Sequence, residues 1–266
     1  MACSLAPMEA LSAVDVELVR AGNHGPFTLD GSNSWLVGRD RCWVVDPGPD
    51  LEDHLDRLAE AAGRRGGVEG IVLTHGHGDH ADGLSGLLAR VGNVPVGGAE
   101  AGSVRLVDGE RFGPFDVVAT PGHAPDSLSF LAGGALFTGD AVLGHGSVFV
   151  APDPGAMTGY LDALERLLEL DATVLCPGHG PVVTDPQAKL SEYLDHRLDR
   201  ERRLIAALDD GLRSTDELLD RVWSDAPSEL RGAALLTLTA HLDRLSEDGL
   251  LPDGVERPEI PDYGEV

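Results

Sequence analysis

Thr74 to Gly83 read T-H-G-H-G-D-H-A-D-G, which places His75, His77, Asp79 and His80 within six residues. Imidazole and carboxylate crowded this closely suit a transition metal, zinc first, with manganese or iron as alternatives. Glycines 76 and 78 permit backbone angles that branched residues cannot adopt, so neighbouring side chains can turn towards one point. Four ligand-type groups exceed what one open catalytic zinc needs, and the excess suggests two cations about 3.5–4 Å apart sharing a hydroxide. Further candidates stand at turn-flanked positions: His123 in A-T-P-G-H-A-P-D-S, Asp140 ending A-L-F-T-G-D, and His179 in L-C-P-G-H-G-P. Each follows a strand-like run and a glycine, as a ligand carried on a loop at a sheet edge should. The chemistry in view is hydrolysis by metal-activated water, with Asp79 both ligand and orienter of the hydroxide. No G-x-S-x-G nucleophile elbow occurs.

Short strands and helices must hold these loops. Strands are predicted at 14–19, 32–37, 41–46, 70–74, 94–97, 105–107, 115–120, 127–131, 135–138, 147–150 and 173–176, most ending at glycine, proline or aspartate turns. Helical spacing of apolar residues marks 51–62, 82–91 and 157–170. Alternation of the two kinds over some 180 residues indicates an α/β domain. After residue 185 the texture changes. A charged helix over 186–210 is stopped by Gly211, and S-T-D-E at 214–217 is a capping-box signature opening a second helix. A third helix is expected over 228–245, followed by a hairpin wing at 249–255. The domain division is therefore 1–185, catalytic, and 186–266, helical and winged-helix-like.

Length and composition fit this outline. The chain has 266 residues, 42% of them hydrophobic, as expected of a globular protein with an ordinary core. No apolar run reaches the roughly 18 residues needed to span a bilayer, and the N-terminus lacks signal-peptide character. A cytoplasmic location is expected, with no membrane partner. Cys3, Cys42 and Cys176 form no C-x-x-C pair and read as reduced, packed thiols. Acidic residues number 45 against 20 basic, a net charge of −25 that disfavours a broad phosphate-binding face.

The four ligand blocks, in order and spacing, resemble the metallo-β-lactamase superfamily. That resemblance implies an αββα sandwich of two mixed sheets between helices. It also implies one metal held by His75, His77 and His123, a second by Asp79, His80 and His179, and Asp140 bridging them. The segments P-F-T-L-D-G-S-N-S-W-L-V-G, L-F-T-G-D-A-V-L-G and Y-L-D-H-R further resemble the β-lactamase-like protein 2 group, which also carries a helical tail. Members of that group include a single-stranded-RNA endonuclease, and related proteins include thioester hydrolases of the glyoxalase II type. The expected function is thus cleavage of a phosphodiester in single-stranded RNA. Hydrolysis of a small acyl compound or thioester is the alternative, and a non-catalytic binding protein a third reading that the complete ligand set opposes.

Several residues stand outside the shared pattern. Asp82 is expected to cap the helix that follows it, or else to receive an N–H from a ligand histidine. His145 occupies a position where relatives commonly carry an acid; a proton donor to the leaving group is one role for it, an exposed loop histidine the other. His24 is a loop residue near the pocket mouth, while His54 and His241 are helix residues of the surface or core. Arg197, next to His196, is expected in a salt bridge or in substrate contact. With Arg200, Arg202 and Arg203 it forms the one available basic track for RNA.

Overall fold

The computed structural model describes residues 11–13, 15–258 and 260. Alternation of side chains along each strand builds the fold. In β2 (Asn33–Val37), Trp35 and Val37 face one way and Leu36 the other; in β10 (Ala135–Gly139), Ala135 and Phe137 oppose Leu136. Period-two patterning with both faces apolar requires cover on both sides of a sheet.

Two mixed sheets satisfy that requirement. One holds β1 (Val16–Arg20), β2, β3 (Cys42–Val45), β4 (Val68–Val72), β5 (Val96–Gly98) and β6 (Val104–Arg105), in that order. The other runs β11 (Val174–Pro177), β10, β9 (Leu128–Ala132), β8 (Phe115–Ala119), β7 (Arg111–Phe112). Trp35, Val45 and Val72 of the first sheet meet Phe115, Phe130 and Phe137 of the second in a shared core that also contains Cys176. Helices α1 (Glu52–Arg64) and α3 (Leu84–Val91) pack Leu55, Leu58 and Leu87 on the outer face of the first sheet. Helices α4 (Ala156–Leu168) and α5 (Pro186–Asp209) cover the second with Met157, Tyr160, Leu164 and Leu190. The architecture is the expected αββα sandwich.

Helices α6 (Thr215–Val222) and α7 (Arg231–Glu247) join the end of α5 around a further core of Leu208, Leu218, Leu238 and Leu242. The capping box forms as its sequence requires, with Ser214 and Glu217 each accepting from the other's backbone. Gly211 takes φ +90°, which lets α5 end there. Two expected strand segments do not form sheet. Residues 249–255 make no hairpin: the backbone N–H groups of Leu250 and Leu251 both return to the Leu245 carbonyl, and Glu256 bonds Arg213. Residues 147–150 join no sheet, and Val150 N–H goes to the Thr237 hydroxyl of α7. Among the described residues no helix is long and apolar enough to cross a membrane.

His54 of α1 ties the helix to the D-P-G-P turn. It is 1% exposed, its Nε2–H donates to the Pro47 carbonyl (3.1 Å), and Ser34 Oγ lies 3.0 Å away. Burial, with the charge of Arg57, lowers its pKa to about 4. In the unfolded chain the group titrates near 6.5, so between these values only the unfolded state binds the proton. The neutral histidine's contribution, about 3 kcal/mol in order of magnitude, is full above pH 6.5 and lost as pH falls towards 4. Urea unfolding from pH 7 to 4.5 is expected to show a shallower loss of stability in His54→Leu than in wild type. Parallel pH profiles would refute this role.

Candidate metal centre

The seven candidate ligands gather at one end of the sandwich because each follows the C-terminal end of a strand. His75 and His77 lie on extended chain just beyond β4, while Asp79 and His80 lie on a one-turn helix, α2 (Gly78–Ala81). His123 follows β8, Asp140 follows β10 directly, and His179 follows β11. The parallel pairing of β10 with β11 brings the last two side by side. Gly178 has no room for a side chain: a Cβ there would press on Asp140 Oδ1 and lie 2.6 Å from His80 Cε1.

Three groups among the described residues have ligand atoms within 4.8 Å of one another: His75–His77–His123, His75–His80–Asp140 and Asp79–His80–His179. His75 Nε2 and His123 Nε2 each lie about 3 Å from His77 Nδ1, at 3.1 and 3.0 Å. His80 Nε2 faces His179 Nε2 at 3.2 Å. Asp140 stands between the outer groups, with Oδ2 3.3 Å from His179 Nε2 and 3.7 Å from His123 Nε2, and Oδ1 3.5 Å from His80 Nε2.

The outward nitrogens explain why these inner ones point at each other. Thr74 Oγ1 donates to Asp46 Oδ2 (2.7 Å) and so accepts from His75 Nδ1–H (3.0 Å). His80 Nδ1–H donates to Asp46 Oδ2 at 2.9 Å. The Phe149 and Gly31 carbonyls can only accept, and lie 3.4 Å from His123 Nδ1 and His179 Nδ1 respectively. With the outer nitrogens protonated, four Nε2 lone pairs converge in the neutral tautomers. Such fixing of the far ring nitrogen is how proteins orient metal-binding histidines.

Electrostatics agree. Burial lowers the pKa values of His75, His77 and His123, the last to about 4, leaving neutral donors that face one another without protons between them. Burial acts the same way on His80 and His179, but Asp79 and Asp140 overcome it for His80, and Asp140 for His179, which is raised to about 9. Burial would raise Asp79, yet His80 and His179 hold it down at about 2. Asp140 Oδ1 is buried and has no hydrogen-bond partner. Convergent lone pairs, a buried unsatisfied carboxylate oxygen and protons that a cation could replace make a donor set that fits two transition-metal ions. His77 and Asp79 are only half-buried, whereas the other five are buried, so the centre opens on their side.

Asp46 is not among the sequence candidates. Its φ of 53° turns it out of β3 so that Oδ1 takes Thr74 N–H (2.7 Å) while Oδ2 takes Thr74 Oγ1 and His80. The carboxylate behind a ligand histidine is therefore Asp46, not Asp82. Nor does Asp82 cap a helix: it ends α2, and Gly83 takes the cap position of α3 without a side-chain bond. Asp126, in the same A-P-D-S block as His123, holds the Gly76 backbone. His145 is exposed, its backbone beside Gly180 in the His179 loop. His24 is exposed and His241 buried against Glu201.

The arginine track dissolves in the fold. Arg197 and Arg200 are buried, and Arg202 and Arg203 both pair with Asp199. Arg197 makes no ion pair among the described residues, contrary to expectation; it donates to the Val148 carbonyl and lies over the Tyr160 ring.

Comparison with known proteins agrees with this geometry. The Metallo-beta-lactamase superfamily pattern matches residues 27–112 and 104–179. The Beta-lactamase-like protein 2 homolog of Caenorhabditis elegans is 33% identical, over 97% of this chain and 91% of that protein. The Atrochrysone carboxyl ACP thioesterase of Aspergillus chevalieri is 32% identical, over 87% and 81%. Metallo-beta-lactamase family protein TTHA1429 from Thermus thermophilus superposes with a TM-score of 0.71 at 25% identity, over 88% of this chain and 94% of that one. TTHA1623, solved in a di-iron-bound form, gives 0.52 at 28%, over 63% and 94%. By sequence pattern, relatives and fold, the chain belongs to the metallo-β-lactamase superfamily, among its metal-dependent hydrolases.

Proposed function

We propose that this protein hydrolyses a thioester at a two-metal centre formed by His75, His77 and His123 on one side, Asp79, His80 and His179 on the other, and Asp140 between. The observation that carries the substrate reading is the loss of the arginine track: no row of free guanidinium groups from α5 is left for phosphates to follow. The likeness to the Atrochrysone carboxyl ACP thioesterase of Aspergillus chevalieri supports the same choice.

Bound metal ions would supply Lewis acidity, polarising the carbonyl oxygen and making water a nucleophile near neutral pH. The chain's own residues do the rest. Asp79 Oδ2 faces the ligand nitrogen of His179 (3.1 Å) and accepts from Ser32 Oγ (3.3 Å), so Oδ1 is the oxygen left to orient a water hydrogen. The positive neighbours His80 and His179 keep Asp79 ionised, and cations in place of their protons would do the same, so Asp79 positions that water rather than storing its proton. In the balanced reaction a C–O bond forms from water, the C–S bond breaks, and the water proton ends on the thiol. A thiolate with a pKa near 8.5 leaves without obligatory acid help, so exposed His145 is not required in this chemistry. We take residues 1–185 as the catalytic unit and 186–266 as its cover.

The test is a side-by-side assay of metal-loaded protein with S-lactoylglutathione, S-acyl-N-acetylcysteamines and labelled single-stranded RNA, at low and high salt. Thioester turnover that is lost with His77→Ala, with RNA left intact, is expected. Metal-dependent RNA cleavage with intact thioesters would overturn the proposal.

A further inference from the structure

A cavity of about 480 Å³ lies between the 146–149 segment, helix α5, the 223–230 connection and helix α7. It adjoins the metal centre through Phe149, whose ring centroid is 4.6 Å from that of His123. Val148, Trp223, Leu230 and Ala233 make much of its wall apolar. Into this wall is set Arg197, 2% exposed, with Nε lacking any partner and no carboxylate within ion-pair reach among the described residues. The contrast with its neighbour is sharp. Arg200 makes two bonds to Asp225, at 2.7 and 3.0 Å, and another to the Val222 carbonyl.

A chain with 45 acidic residues does not lack carboxylates to pair with a buried guanidinium. Burying such a cation unpaired is strongly unfavourable, and an anion delivered by a ligand would complete it. The other charges around the cavity are committed: Glu192 to Lys189 at 3.0 Å, and Asp225 to Arg200. His196 is kept neutral by burial and by its two arginine neighbours, with a pKa of about 4. One uncommitted positive charge in an apolar chamber matches a monoanion on a hydrocarbon body; a phosphate dianion would leave a charge over.

We propose that this cavity is the acyl subsite of the hydrolase, and that Arg197 binds a carboxylate carried on the acyl group. The reaction part rests on the thioester reading; the binding part does not.

Two measurements separate them. The first titrates metal-loaded protein with glutarate, its neutral diamide and inorganic phosphate, following the fluorescence of Trp223, with Trp223→Phe identifying the signal. The second compares kcat/KM for S-glutaryl-N-acetylcysteamine with that for the thioester whose terminal carboxylate is an amide. Wild type is expected to prefer the carboxylate about tenfold or more. Arg197→Gln should bring the ratio close to one, with Arg197→Lys intermediate. Ala233→Leu, which narrows the cavity from α7 without touching Arg197, should weaken glutarate binding even if the Arg197 variants fold poorly. Equal handling of both thioesters by wild type, or a preference that survives Arg197→Gln and Ala233→Leu, would overturn the subsite. A Trp223 response stronger with phosphate than with glutarate would overturn the carboxylate assignment. Arg197-dependent glutarate binding without turnover of any thioester would uphold the carboxylate site at Arg197 and refute the thioesterase reading, and with it the acyl role of the cavity.

Discussion

Asp140→Asn is expected to lower kcat/KM by about 10³-fold and to leave the purified, metal-reconstituted protein roughly one metal equivalent short. The substitution keeps the volume of a buried side chain and removes only its charge and one acceptor oxygen. Asp140 lies within 4 Å of ring nitrogens on both sides of the centre, reaching His123 on one side and His80 and His179 on the other. Burial opposes its negative charge, but His179 and His80 hold the carboxyl well below the ordinary range. An amide would meet those nitrogens with N–H groups or a weaker dipole, and two adjacent cations would lose the anion between them. Steady-state kinetics with elemental analysis gives the answer directly. Two equivalents of metal together with more than a tenth of wild-type activity would show that Asp140 does not bridge.

Much of this centre is legible in the sequence because its ligands are local to strand ends. A run such as A-L-F-T-G-D states the strand, the turn and the ligand together, and β10 places Asp140 where that run says. The sheets are legible for the same reason, since Leu136 and Phe137 declare opposite faces by simple alternation. What the sequence hides depends on contacts between distant segments. The run S-V-F-V at 147–150 has strand character, yet its Val150 N–H is claimed by Thr237, 87 residues away. Arg197 reads as a salt-bridge or substrate-contact residue of a charged helix until α4 is packed on α5, which puts its guanidinium over Tyr160. Asp82 reads as a helix cap only while α2 is overlooked; that helix begins four residues before it, making it an end rather than a beginning.

Asp46 is the instructive omission, and it leads to the other large effect. In D-P-G-P it looks like a strand terminator, and nothing nearby in sequence marks it as part of a metal site. Parallel pairing of β3 with β4 carries it to Thr74, and α2 returns His80 to the same carboxylate from 34 residues away. Removing it with Asp46→Ala strands the Thr74 N–H, the Thr74 hydroxyl and His80 Nδ1–H in a buried place. That should cost the metal-free protein roughly 3 kcal/mol or more and metal affinity about 10–100-fold. Asp46→Asn separates the two effects. Asparagine accepts a positive φ readily, and its carbonyl can still take a Thr74 hydrogen, so the loss of stability should be the smaller one. Its amide N–H₂, however, would face His80 Nδ1 and favour the tautomer with the proton on Nε2, directed at His179 and the metal site. The asparagine variant should therefore unfold in urea nearer to wild type than to Asp46→Ala, yet lose metal to a competing chelator as readily as the alanine variant does. Wild-type metal affinity in Asp46→Asn would show that the carboxylate supports only the Thr74 turn and does not set the His80 tautomer.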